Sequence, residues 1–405
     1  MIKTAIIGGG AAGIIAAAFC GKTADVTLFE RNEKIGKKLY ITGKGRCNLT
    51  NNCALYEFYP NIVHGQKFMI SALAAFPPQS LMEFLGSYGL RMKTERGNRV
   101  FPVSDKSSDV IKTLIRAAED SGADIRLNTR VMSVKKENGK FTVETDKGIY
   151  TFDRVIVATG GVSYKATGST GDGYDIARSF GHTIVEPRPA LSAIELKTDV
   201  KSLQGLSLRN VRATVKAGGK EFSEFGEMLF TDSGVSGPVI LTLSSYVCRL
   251  PLDGASLLID FKPALSPETL DERLTSDFGE MHNKDLANIL TSLLPKAIIP
   301  FVLEQSGLSP YVKGHSVTRE MRYALGYCVK HLRFTIRGSA DINTAVITSG
   351  GVELKEVNPS TMESKLAEGL YFAGEVLDVD ALTGGYNLQC AFATGRGAGI
   401  AAGRE

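Results

Sequence analysis

Six residues constrain this chain more than any others: Gly8-Gly9-Gly10-Ala11-Ala12-Gly13. They follow a short apolar run, Thr4 to Ile7, that reads as a buried parallel strand. They open an Ala-rich stretch that reads as a helix to about Cys20. A second strand, Asp25 to Phe29, ends at Glu30, 17 positions after Gly13. In this pattern Gly8 allows the tight turn, Gly10 lets the backbone approach a pyrophosphate, and Gly13 lets helix and strand pack closely. The helix N-terminus faces the phosphates, and Glu30 accepts from ribose hydroxyls. The chain therefore opens with a dinucleotide-binding βαβ unit.

An acid at Glu30 argues against a ribose 2′-phosphate but does not separate NAD from FAD. The segment Lys37 to Asn48 has the glycines, donors and charges of a loop that wraps a long dinucleotide; a solvated basic loop is the alternative.

The net charge is only +4 and the basic residues are scattered, which argues against a dedicated nucleic-acid binder. Apolar residues are 43% and charged residues 22%, which excludes long disorder. Six cysteines without a framework suit a reducing cytoplasm, the expected location. The apolar stretch Ala5 to Cys20 is broken by four glycines and is too short to span a bilayer, so neither a membrane nor a signal peptide is expected. Five histidines show no ligand spacing, so no metal is expected. The oligomeric state is not legible in the sequence.

At 405 residues the soft prior is two or three domains. Residues 1–189 carry α/β character. A stretch within them, Pro60 to Arg99, reads as helical with breaks at Pro77-Pro78 and Gly86. Residues 190–263 read as an inserted β-rich unit and 264–338 as a helical unit, with Ser266 opening a helix. From 339 to 405 the α/β character returns. Two more motifs bear on a cofactor. A strand from Arg154 to Ala158 ends in Thr159-Gly160-Gly161, and near the C-terminus a strand ends in Gly374-Glu375. Thr383-Gly384-Gly385-Tyr386-Asn387-Leu388 then opens a helix whose N-terminus suits the anion of a reduced flavin. The ordered set is a two-part flavoprotein signature.

The segments KIGKKLYITGKGRCNLTN, GEMLFTDSGVSGP, TSGGV and GLYFAGEVLDVDALTGGYNLQCAFATG resemble a bacterial family of FAD-dependent oxidoreductases among the two-dinucleotide-binding-domain flavoproteins. Its members are named for aminoacetone oxidation or for reduction of dehydro-bile acids. The resemblance spans essentially the whole chain. It implies an α/β fold: a Rossmann-type FAD domain built from both chain ends, with an inserted β-barrel-like unit and a helical unit. It places Ala12, Glu30 and Arg31 on the ADP half of FAD, and Lys37, Lys38 and Gly45 along the pyrophosphate and flavin. Val131 matches a backbone contact to adenine; Glu375, Asn387 and Leu388 match ribityl and ring contacts. Wider relatives carry Gly-Asp where this chain has Gly374-Glu375, so Asp378 is a second candidate for the ribityl chain. Asp232 stands where the family more often has His.

One full fingerprint is present, so FAD is the expected resident cofactor and NADH or NADPH a transient donor. Gly171-Asp172-Gly173 after Thr159-Gly160-Gly161 resembles the fumarate-reductase and ketosteroid-dehydrogenase flavoproteins. This points to reduction of an activated C=C bond in a hydrophobic small molecule. An oxygen-using amine oxidase is the alternative; a flavoprotein that binds or modifies tRNA, or a non-catalytic flavin-binding protein, is the alternative of another class. Arg46 and Tyr386 lie in the flavin motifs as candidates to anchor or protonate substrate, with structural roles equally open.

Overall fold

The computed structural model describes residues 1–404. The chain forms two compact units, Met1–Ala190 joined by the segment from Ile342 onward, and Leu191–Asp341.

In the first unit a five-stranded parallel sheet runs in the order Leu370–Phe372, Arg154–Val157, Lys3–Ile7, Asp25–Phe29, Asp124–Arg126. The apolar runs of these strands are buried on both faces, as a parallel sheet flanked by helices requires. Ile6 pairs with Ile156 on one side and Leu28 on the other, so the first strand is central. A C-terminal strand, Leu370–Phe372, thus lies beside strands from the first half of the chain, and both chain ends build one sheet. The first helix, Ala11–Cys20, packs against the last, Tyr386–Ala402. A Cβ at Gly395 would lie 2.4 Å from the Ala12 carbonyl, and one at Gly399 2.5 Å from that of Ala16. The two helices approach at backbone distance because these positions lack side chains.

An antiparallel meander, Val131–Glu137, Lys140–Thr145 and Gly148–Phe152, turns first at Asn138-Gly139. Both turn residues have positive φ, 50° and 79°, the geometry that an Asn-Gly hairpin takes. The stretch Pro60 to Arg99 departs from the helical expectation. Helices Gln66–Ala75 and Pro78–Ser87 form, and then a hairpin of Met92–Glu95 with Arg99–Pro102. Its turn holds Asn98 and Gly97 at positive φ.

The second unit is a closed six-stranded barrel in the order Ile194–Leu196, Gly234–Ser236, Lys220–Phe230, Ser207–Ala217, Ser256–Asp260, Leu332–Ser339. The last strand pairs back onto the first, Ser339 opposite Ile194. The separate helical unit expected over 264–338 is corrected here. Its final residues, Leu332, Phe334 and Ile336, alternate inward and close the barrel. Helices Pro267–Glu280, Ile299–Ser306 and Arg319–Lys330 share one apolar core with the barrel strands. Ser266 caps the first of them, accepting from the Thr269 N–H at 3.1 Å. Among the described residues no single helix is long and apolar enough to cross a membrane.

Candidate cofactor and active site

The glycines of the N-terminal turn differ in what surrounds them. Gly8 has φ 104°, and a Cβ there would meet the Ala158 carbonyl at 2.6 Å. A Cβ at Gly13 would meet the Gly8 carbonyl at 1.8 Å. A Cβ at Gly10 would meet nothing within 4 Å. Gly8 and Gly13 therefore serve the tight turn, whereas Gly10 presents open backbone. It does so at the N-terminus of helix Ala11–Cys20, where the first N–H groups have no intrahelical partner.

Glu30 is buried beneath this turn. Its Oε2 accepts from the Gly9 N–H at 2.8 Å, and its Oε1 from the Asn32 N–H and Nδ2 at 2.8 and 2.7 Å. A carboxylate has about four acceptor sites, so roughly one is left for a ribose hydroxyl. Val131 sits close by, because the Thr129 N–H donates to the Glu30 carbonyl at 2.9 Å. Arg31 donates to Thr170 at 2.6 Å and pairs with Asp172 at 3.3 Å, which Arg130 also holds. Lys37 pairs with Glu33 at 2.9 Å.

Lys38 and Glu375, distant in sequence, meet directly. The Lys38 amine lies 2.7 Å from Glu375 Oε2 and 2.7 Å from Ser163 Oγ. Glu375 Oε1 also accepts the Thr348 N–H at 2.8 Å. Thr348 Oγ1 in turn accepts the N–H groups of Val162 and Ser163. The Gly160-Gly161 turn is thereby tied to the Gly374-Glu375 turn. Asp378 is buried, and its N–H donates to the Val352 carbonyl. A Cβ at Gly374 would lie 2.7 Å from that of Ala12, so this turn touches the first helix. Thr159 Oγ1 and Tyr174 Oη are buried without a hydrogen-bond partner.

The loop after Ile41 holds Gly43, Lys44, Gly45 and Cys47 at positive φ, a run of nearly consecutive left-handed residues. Gly45 is open apart from the Tyr40 carbonyl at 3.9 Å. Burial pushes the Cys47 thiol up to about 12, which removes it from thiolate chemistry. Asn48, its amide oriented to satisfy its neighbours, donates to the Thr50 and Val100 carbonyls and accepts from the Gly385 N–H at 3.0 Å. Gly385, with φ 98°, would place a Cβ 2.4 Å from the Thr50 backbone.

The two residues put forward for substrate contact have protein partners. Arg46 pairs with Glu95 and Asp105 and lies over the Phe101 ring at 4.1 Å, and Lys93 joins the same carboxylates. Tyr386 packs edge-on against Phe58, with centroids 4.8 Å apart. Burial, with Cys53 and Glu57 adding to it, pushes its phenol up to about 12. The Asn387 side chain is used locally: Oδ1 accepts the Ala381 N–H at 2.9 Å, and Nδ2 donates to the Ala381 carbonyl at 2.7 Å. That leaves the backbone N–H groups of Tyr386, Asn387 and Leu388 at the head of the last helix for a ligand.

Sequence reasoning passed over Asn32, Ser163 and Thr348, which orient the predicted carboxylates, and a His64–Asp380–Ser349 cluster. Asp380 Oδ2 lies 2.7 Å from His64 Nδ1 and 2.6 Å from Ser349 Oγ. No local pattern assigns them a role; the nearest signals were TSGGV, which contains Thr348 and Ser349, and the C-terminal segment GLYFAGEVLDVDALTGG, which contains Asp380.

The residues fit an FAD. Open backbone at Gly10 and Gly45, two helix N-termini on one sheet, and a carboxylate at the end of the second strand match its pyrophosphate, ring and ribose.

A family model described as HI0933-like protein Rossmann domain matches residues 2–401. A 3-dehydro-bile acid delta(4,6)-reductase of Clostridium scindens is 33% identical over 410 residues, covering 99% of each chain. A ribosomal RNA dihydrouridine synthase of Haemophilus influenzae is 31% identical, covering 99% of this chain and 98% of that protein. Among solved structures, E. coli quinol fumarate reductase FrdA aligns with TM-score 0.51 at 15% identity, covering 99% of this chain and 70% of that one. That last likeness concerns the fold alone.

Proposed function

The chain belongs to the HI0933-like family and is an FAD-dependent oxidoreductase; on that premise we propose that it reduces a C=C bond conjugated with a carbonyl, with NADH or NADPH as electron donor. One observation carries this reading. Two relatives of nearly equal identity, with different substrate classes, are named for the same change of bond. A delta(4,6)-reductase and a dihydrouridine synthase each add two hydrogens across a ring double bond. Neither is named for amine oxidation.

FAD, when bound, supplies the hydride and its electron pair. This chain's residues hold and polarise it. The first helix and Gly10 take the pyrophosphate, Glu30 a ribose hydroxyl, and Glu375, braced by Lys38, the ribityl chain. The N–H groups that open helix Tyr386–Ala402 stabilise negative charge on the reduced ring.

For the acceptor, a hydrophobic small molecule is the first reading. Residues 191–341 carry 17 Lys and Arg against 17 Asp and Glu, so the net positive charge lies in the unit that meets the cofactor phosphates. A uracil in ribosomal RNA is the second reading, favoured by the relative named for it. The test is an anaerobic titration with NADH, then NADPH, following the visible flavin band. The bleached protein is then mixed with a 4-en-3-one steroid or with ribosomal RNA, and products are read by mass spectrometry. Bleaching followed by a gain of two hydrogens in either acceptor is the expected result. A flavin that ignores both nucleotides and is bleached by an amine overturns the reading.

A further inference from the structure

Reduction of a conjugated double bond needs a proton as well as a hydride, and the groups described so far offer no ready source. Arg46 is held by two carboxylates, and the Tyr386 phenol keeps its proton far above neutrality. We propose that His64 donates this proton from Nε2 and that Asp380 is the positioning residue that aims it. The proposal rests on the reductase reading above.

The geometry begins with a short β-bridge. Strand Ile62–His64 pairs antiparallel with Asp380–Ala381, His64 opposite Asp380. Asp380 is fully buried, and its Oδ2 meets His64 Nδ1 at 2.7 Å and Ser349 Oγ at 2.6 Å. A carboxylate against Nδ1 selects the tautomer that carries its proton there. The ring then gives or takes a proton at Nε2 only. The His64 side chain is 25% exposed, so the imidazole lies within reach of solvent for reprotonation.

The cluster is fastened to both cofactor contacts. Asn387, in the first turn of the helix that faces the flavin ring, grips Ala381 through its N–H and carbonyl. Ser349 follows Thr348, whose N–H holds Glu375. Cys390, one turn further along the same helix, lies near enough to Asp380 to feel its charge. His64 leads through Gly65 into helix Gln66–Ala75, which packs on that same helix. Three elements therefore hold one imidazole at the ring end of the site.

In the step, the acceptor's π bond breaks and two C–H bonds form. One takes the hydride and its electron pair from the reduced cofactor, which is oxidised. The other, at the carbon next to the carbonyl, takes the proton from Nε2. His64 is left neutral and recovers a proton from water, and reduced nicotinamide restores the cofactor.

The test compares His64→Gln and Asp380→Asn with wild-type holoprotein in three measurements: FAD content by absorbance, the rate of flavin bleaching by reduced nicotinamide, and the rate of reoxidation by 2-cyclohexen-1-one and by a 4-en-3-one steroid. His64→Gln should keep its FAD and its bleaching rate, lose roughly 100-fold or more in reoxidation, and recover part of that with added imidazole. Asp380→Asn should lose less, and ¹⁵N NMR should show His64 released from its single tautomer. Undiminished reoxidation in His64→Gln, loss of its FAD, or a wild-type His64 without a proton on Nδ1 each overturns the proposal. A wild-type flavin that neither enone reoxidises refutes the reductase reading first, and the assignment of His64 with it.

Discussion

Gly10 and Gly13 give opposite expectations from the same small change. In Gly10→Ala the added methyl enters open space, and Gly10 has φ −81° and ψ −167°, a conformation that alanine adopts without strain. The apoprotein should keep its stability to within about 0.5 kcal/mol, or gain about that much from a less flexible unfolded chain. The methyl stands where the pyrophosphate must approach, so FAD affinity should fall at least tenfold, about 1.4 kcal/mol. In Gly13→Ala the methyl lies 1.8 Å from the Gly8 carbonyl oxygen, against the roughly 3 Å of a tight contact. Helix and strand must part by about 1 Å, and overpacking of that kind costs on the order of 1–3 kcal/mol. That variant should melt lower even without cofactor. The assay is thermal unfolding of both apoproteins, followed by fluorescence titration with FAD. A Gly10→Ala protein that binds FAD like wild type, or a Gly13→Ala apoprotein that melts like wild type, would refute the division of roles.

Three further outcomes follow from the same geometry. Glu30→Ala strips acceptors from the Gly9 N–H and from both Asn32 donors, so it should cost about 1–3 kcal/mol in stability and weaken FAD retention; stoichiometric flavin after dilution would contradict the assignment. Tyr386→Phe should leave the pH–rate profile between pH 6 and 9 unchanged, because the phenol stays protonated throughout; an alkaline limb that vanishes in the variant would speak against this. Burial lowers the pKa of His182, opposed by Glu356 at 3.0 Å, so the unfolded chain takes up a proton there that the fold resists. Stability contributed by neutral His182 is present above its unfolded pKa of about 6.5 and is lost as pH falls below it; thermal melts from pH 7.5 to 5 should fall less steeply in His182→Gln.

The N-terminal unit was legible because its signals are local. A glycine turn, an apolar strand on each side and an acid at a set distance are all written within thirty residues, and the structure assembles them with Gly8 and Gly13 in contact. The hairpin Met92–Glu95 with Arg99–Pro102 was hidden because only three of its eight strand positions, Met92, Val100 and Phe101, are apolar and it follows two helices. The barrel closure was hidden for a different reason. Strand Leu332–Ser339 alternates locally, but its partners, Ser256–Asp260 and Ile194–Leu196, lie dozens to more than a hundred residues earlier, and nothing local says that it closes the barrel.

The same distinction runs through the site. By itself the sequence determined the dinucleotide turn, the acid at its end, the second flavin motif near the C-terminus and the presence of an insert. Each is a backbone requirement met by neighbours in the chain. Only the tertiary structure decided which side chains have partners: Lys38 with Glu375, Arg46 with Glu95 and Asp105, His64 with Asp380. Two of these four pairs join residues more than three hundred positions apart. Side-chain chemistry depends on distance in space, and strand pairing between the two ends of the chain sets that distance.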